Sequence, residues 1–146
     1  MSQTTFIVGV DGSPAGDRAL EFAKERAKLL DNSKLILCYI IEWSPYSFQT
    51  AEENEKRHQR REEEIAIAKE RILDPAVTSV ASAGFDVEGV VQHGDVAEIL
   101  DRIARKNEGS QIVVGRVGAR GIKERLFGGV SARLVSSAHV PVTIIP

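Results

Sequence analysis

Phe6-Ile7-Val8-Gly9-Val10, followed by Asp11-Gly12-Ser13-Pro14, decides how the chain folds. The first five residues are apolar and rich in β-branched side chains, and Asp-Gly punctuates them. They read as a short strand buried on both faces. Ser13 offers a hydroxyl at a helix N-cap, and Pro14 brings the preset φ of a first helical position. Ala15, Ala19, Phe22, Ala23, Ala27 and Leu30 then recur at three- and four-residue steps, one apolar stripe that Asp31-Asn32-Ser33 breaks. A buried strand feeding an amphipathic helix is the opening unit of a parallel α/β sheet.

The same alternation continues. Leu35–Ile41 is a second apolar strand. Trp43, Tyr46 and Phe48 are three of the chain's eight aromatics, in a loop marked by Pro45 and the serines Ser44 and Ser47 and expected to cover something. From Glu52 to Glu64 there is no apolar residue. Two readings stand: a solvated helix, supported by Glu52/Lys56 and Glu53/Arg57 at i,i+4, or a disordered excursion. Ile65, Ala68, Ile72 and Ala76 regain a helical stripe, with Pro75 predicting a kink or a restart. Phe85–Val91 is a third strand, interrupted by Asp86, Glu88 and Gly89. Asp95, with Glu98 three residues on, opens a capped helix whose buried face is Ile99, Leu100, Ile103 and Ala104. Ser110–Val114 is a fourth strand, Val130–Ala138 a helix, and Pro141–Ile145 a fifth strand.

This order gives one α/β domain over residues 1–146. The expected architecture is a doubly wound, Rossmann-like, five-stranded parallel sheet in the order 3-2-1-4-5, with helices on both faces. Ligands in such sheets bind at the carboxyl ends of the strands, where the winding reverses. Here that point lies between strands one and four, under the loops that begin at Val10-Asp11 and at Gly115.

Composition closes off other classes. The chain is 42% hydrophobic and 27% charged, which excludes collagen, an acidic disordered chain and a polytopic membrane protein. A formal charge of −2 argues against electrostatically driven nucleic-acid binding. No apolar run approaches the ~20 residues that span a bilayer, so no membrane association is expected. Met1–Thr5 has no basic leader character, and a cytoplasmic protein is the expectation. Cys38 sits inside an apolar strand, where a thiol behaves as a small hydrophobe.

The loop after strand four carries the chemistry. Gly115–Gly129 holds five glycines in fifteen positions, which let backbone N–H groups approach a ligand. Gly128-Gly129-Val130-Ser131 runs into the last helix, whose free N–H groups and dipole favour an anion such as phosphate. Arg116–Arg125 contains four basic residues and one acidic. Direct phosphate contact or plain solvation are both open to those side chains. The loop is not a Walker A, because no Gly-Lys-Ser/Thr follows the required gap, and no dinucleotide fingerprint follows any strand.

Gly115, two residues, Gly118, nine residues, Gly128 resembles the nucleotide motif of the universal stress protein family. Val8–Ser13 resembles the family's opening strand and turn, Gly94-Asp95 its third helix start, and Pro141–Ile145 its closing strand. One position departs: Gly129 stands where nucleotide-binding members carry Ser or Thr. Ser131 matches a second hydroxyl position of the motif. The resemblance implies ATP or AMP as cofactor, with Mg²⁺ held by the phosphates. It implies contacts at Val10, Asp11, Ile40, Gly115, Val117, Gly118, Gly128, Gly129, Val130 and Ser131. Asp11 would face the ribose hydroxyls and the backbone near Ile40 the adenine edge. By its residues alone, Asp11 reads better as a turn residue, and Ile40 reads as core, which is compatible with a backbone contact. The resemblance also implies a homodimer through Val142–Ile145. That segment has no outward charge and is bracketed by Pro141 and Pro146, so it is an apolar edge needing cover. Replacing Thr143 by proline is expected to remove a donor from that pairing.

No catalytic constellation is legible. His58, His93 and His139 stand at no metal-ligand spacing from each other, a cysteine or an acid. His93 is expected in the turn after strand three, and His139 as a partner for a helix dipole. No metal ligand and no catalytic residue is assigned, and slow ATP hydrolysis stays open. The competing class is a member of the same family that binds no nucleotide and works as an interaction dimer. An ATP pyrophosphatase would show Ser-Gly-Gly-x-Asp-Ser after strand one, and a nucleotidylyl transferase His-x-x-His or His-x-Gly-His; neither occurs.

Overall fold

Successive residues of a strand point to opposite faces, and that alternation sorts the core into two layers. In the computed structural model, which describes residues 3–42, 51–116 and 129–146, β1 spans Thr4–Gly9 and α1 Pro14–Lys28. β2 is Ser33–Glu42, α2 Ala51–Ala68 and α3 Asp74–Ser82. β3 is Asp86–Gly94, α4 Val96–Lys106, β4 Gln111–Gly115, α5 Val130–Ser137 and β5 Val142–Ile145. The five strands form one parallel sheet in the order β3-β2-β1-β4-β5, as expected. Phe6, Val8, Leu35, Leu37 and Val113 pack with α1 and α3 on one face. Ile7, Ile36, Cys38, Ile112 and Val114 pack with α4 and α5 on the other.

The capping signals behave as their chemistry requires. The Ser13 hydroxyl accepts the Gly16 N–H at 3.0 Å, and the Asp95 carboxylate accepts the Glu98 N–H at 2.9 Å. The charged stretch from Glu52 to Glu64 is helical, part of α2. A π-helical turn, Lys69–Leu73, joins α2 to α3. Pro75 has no N–H and crowds the carbonyl four residues back, so the helix widens by one turn and restarts.

The ends of α1 and β3 differ from expectation. α1 ends at Lys28, and Leu30 is 42% exposed instead of completing the buried stripe. β3 continues through Gln92, His93 and Gly94, because the long β2 offers them Ile40, Ile41 and Glu42 as partners. His93 therefore lies in a strand, not in the turn after it. Gly89, which weakens β3 by sequence, is required by packing: a Cβ there would come within 2.9 Å of Val77 on α3.

β5 forms one edge of the sheet, and its orientation corrects the expectation for Thr143. Pro141 O accepts from Ile112 N, and Ile145 O accepts from Arg116 N. Backbone groups alternate sides with the pleat, so Thr143 also points inward, toward β4. Val142 and Ile144 are the residues whose N–H and C=O groups face the open edge.

Candidate functional site

The sheet opens where β1 ends. Val10 N donates to Cys38 O at 2.9 Å, the last bond of the β1–β2 ladder, and β4 pairs with β1 only as far as Val8↔Val113. By the same alternation, Ile40 on β2 and Gly115 on β4 are the next residues to point inward. Each presents backbone N–H and C=O groups to the gap above β1, one from either side. Neither side chain could have signalled this, because it follows from where the neighbouring strand stops.

Val10 is 8% exposed and belongs to the core on the α1 face. Asp11 closes the turn into α1. Its Oδ1 accepts from Ser13 N at 2.9 Å and from the Ser13 hydroxyl, so the turn reading of Asp11 holds for that oxygen. Gly16 admits the carboxylate: a Cβ there would sit 2.7 Å from Asp11 Oδ1. Gly115 has a structural duty that the sequence did not suggest. A Cβ on it would lie 2.7 Å from the Ala15 carbonyl carbon and 2.8 Å from Ala15 Cβ. Glycine here lets α1 press against the end of β4.

Gly129 is the N-cap of α5 and, as a glycine, brings no side chain to cap it. Val130 and Ser131 occupy its first turn, half-buried. Val117, Gly118 and Gly128 lie outside the described residues, as does the aromatic stretch from Trp43 to Phe48. Among the assigned residues, the structure thus gathers Val10, Asp11, Ile40 and Gly115 around the end of β1.

Sequence reading missed the polar contacts that join distant elements. Arg133 on α5 bonds Asp95 Oδ1 through Nη1, and its Nη2 lies 3.4 Å from Glu42 Oε1. His93 Nε2 is 3.1 Å from Glu64 Oε2, which ties α2 to β3. His139 is held by Asp101 of α4 through Nδ1 at 2.8 Å, not by a helix dipole alone. Burial pushes the Asp101 carboxyl up, but the His139 bonds and charge, with Arg105, outweigh it and leave its pKa below the ordinary value. These pairs are 29 to 91 residues apart, beyond any local spacing rule. Burial raises the Cys38 thiol to about 12, so it stays a thiol, as its apolar strand implied. Among the described residues no group of three or more His, Cys, Asp or Glu could hold a metal ion, and no helix is long and apolar enough to cross a membrane.

The sequence profile of the Universal stress protein family matches residues 4–146. A universal stress protein of Mycobacterium tuberculosis is 28% identical over 152 residues, covering 96% of this chain and 47% of that protein. The chain thus spans about half the length of the curated relatives it matches first. The universal stress protein UspA of Lactobacillus plantarum has the same fold, with a TM-score of 0.83 at 21% identity and full coverage of both chains. A universal stress protein solved in complex with cAMP is 25% identical, with a TM-score of 0.67 over 100% of this chain and 99% of that one.

Proposed function

The chain belongs to the universal stress protein family, and on that premise we propose that it binds an adenine nucleotide, ATP or AMP, above the end of β1. The observation that carries the reading is the pair of inward-pointing backbones at Ile40 and Gly115, two sets of donors and acceptors left by the ending of β1. Ile40 would read the adenine edge through its main chain, as Asp11 would meet the ribose hydroxyls. Val10 lines the floor. The phosphates would lie on Gly115, Val117, Gly118 and Gly128 and on the first turn of α5, at Gly129, Val130 and Ser131. That turn fits an anion, since the first backbone N–H groups of a helix have no intrahelical partner and the helix dipole favours negative charge there. Mg²⁺ would ride on the phosphates. The solved relative that carries cAMP supports a nucleotide of this class.

The role we assign is binding, not catalysis, with nucleotide-dependent conformation or partner binding in a stress response as the output. The protein would work in the cytoplasm as a homodimer through Val142–Ile145, without nucleic acid or membrane. A second reading has its own observation. Gly129 lacks the hydroxyl that nucleotide-binding members use, which favours an interaction dimer that binds no nucleotide.

Calorimetry with ATP, AMP and GTP separates them. The nucleotide reading expects heat from ATP or AMP and little from GTP. Equal or absent heats for all three would leave the interaction dimer.

A further inference from the structure

We propose that Arg133 is a positioning residue that fixes the span between the base end and the phosphate end of this site; the proposal rests on the nucleotide reading above. Arg133 is the fourth residue of α5. A helical side chain leans back toward the helix N-terminus, over the turn that precedes it. Its guanidinium joins Asp95 Oδ1 and reaches Glu42 Oε1 at 3.4 Å. Asp95 divides its carboxylate: Oδ2 caps α4 through Glu98 N, and Oδ1 takes Arg133.

One planar fork therefore connects the first turns of α4 and α5 to the end of β2. Glu42 is two residues beyond Ile40 on the same strand. The clamp thus sets the phosphate-facing turn of α5 against the strand whose main chain faces the base. Gly129 gives α5 no side-chain cap. Arg133 Nε is buried without a hydrogen-bond partner among the described residues, so the two carboxylates are what hold the side chain in place. Loosening the fork lets the α5 turn drift from β2, and a ligand that touches both ends loses affinity. A ligand that touches only the base end does not.

The test is calorimetric titration of wild type, Arg133→Met, Arg133→Lys and Glu42→Gln with AMP and with adenosine, each below its unfolding temperature. The ratio of AMP to adenosine affinity is expected to fall about tenfold in Arg133→Met, the size of one charge-assisted contact. Glu42→Gln should lower it severalfold and Arg133→Lys by an intermediate amount, with adenosine affinity unchanged throughout. A general weakening of the fold would lower both affinities together and keep the ratio, and that result overturns the proposal. If Arg133→Met does not fold, Glu42→Gln decides, because its side chain is partly exposed and lies off α5. If wild type binds neither ligand, the nucleotide reading fails and this proposal with it. If wild type prefers AMP and both variants keep that preference, the clamp alone is wrong.

Discussion

Asp101 and His139, 38 residues apart, are joined by one carboxylate that takes two bonds: Oδ1 accepts the His139 backbone N–H at 2.8 Å, and Oδ2 faces its Nδ1 at 2.8 Å. Arg105 Nε adds a contact to Oδ2 at 3.3 Å. Asp101 is 6% exposed, so these partners replace the water it gave up. The pair pins the segment between α5 and β5 to α4, and so fixes where the edge strand begins.

A pH dependence follows from the lowered Asp101 pKa. Unfolding raises that pKa toward its ordinary value, so the unfolded state binds the proton more readily. The stabilisation is complete above about pH 4 and is lost as the pH falls through the folded value. Asp101→Asn should cost about 1–3 kcal/mol at neutral pH. Urea unfolding at pH 7 and pH 3 should show the gap between wild type and variant shrinking at the lower pH. A gap independent of pH would contradict the assignment.

Gly115→Ala tests the contact between β4 and α1. The added Cβ meets backbone atoms of Ala15, which move only with the helix. The expected loss is about 1–3 kcal/mol, typical of overpacking. Thermal unfolding should show a lower Tm, and an unchanged one would mean that α1 yields freely.

Gly129→Ser restores a hydroxyl at the N-cap of α5. It should tighten ATP more than AMP, by about 0.5–1.5 kcal/mol, since the new donor meets the outer phosphates. Calorimetry reads the ratio directly. An unchanged ratio would mean that Ser131 or an arginine already fills that place.

Ile144→Pro replaces Thr143→Pro as the test of the dimer. Ile144 turns its N–H to the open edge of β5, whereas Thr143 turns inward to β4. Proline at 144 removes an edge donor and leaves the β4–β5 ladder in place. Light scattering should report a dimer for wild type and monomer or aggregate for the variant, with circular dichroism confirming the fold. A wild-type monomer at micromolar concentration would defeat the homodimer.

The local pattern alone determined the alternation of buried strands and amphipathic helices and the caps at Ser13 and Asp95, and the crossover rule added the strand order. The alternation and the caps depend on burial period and on hydroxyl or carboxylate chemistry within a few residues, which a sequence displays directly. The pattern also marked Gly115 as a glycine of close approach, without showing that α1 is among what approaches it. Only the tertiary structure decided that Gly115 yields to Ala15, that Thr143 faces inward, and that Arg133 joins Asp95 and Glu42. Each of these depends on which element arrives from elsewhere in the chain and on which side of a strand is already taken. The same holds for Ile40: its side chain reads as core, and its value lies in a main chain that β1 stops short of pairing. A sequence records side chains and their spacing; the backbone groups left over at a strand's end are fixed only when its neighbours are in place.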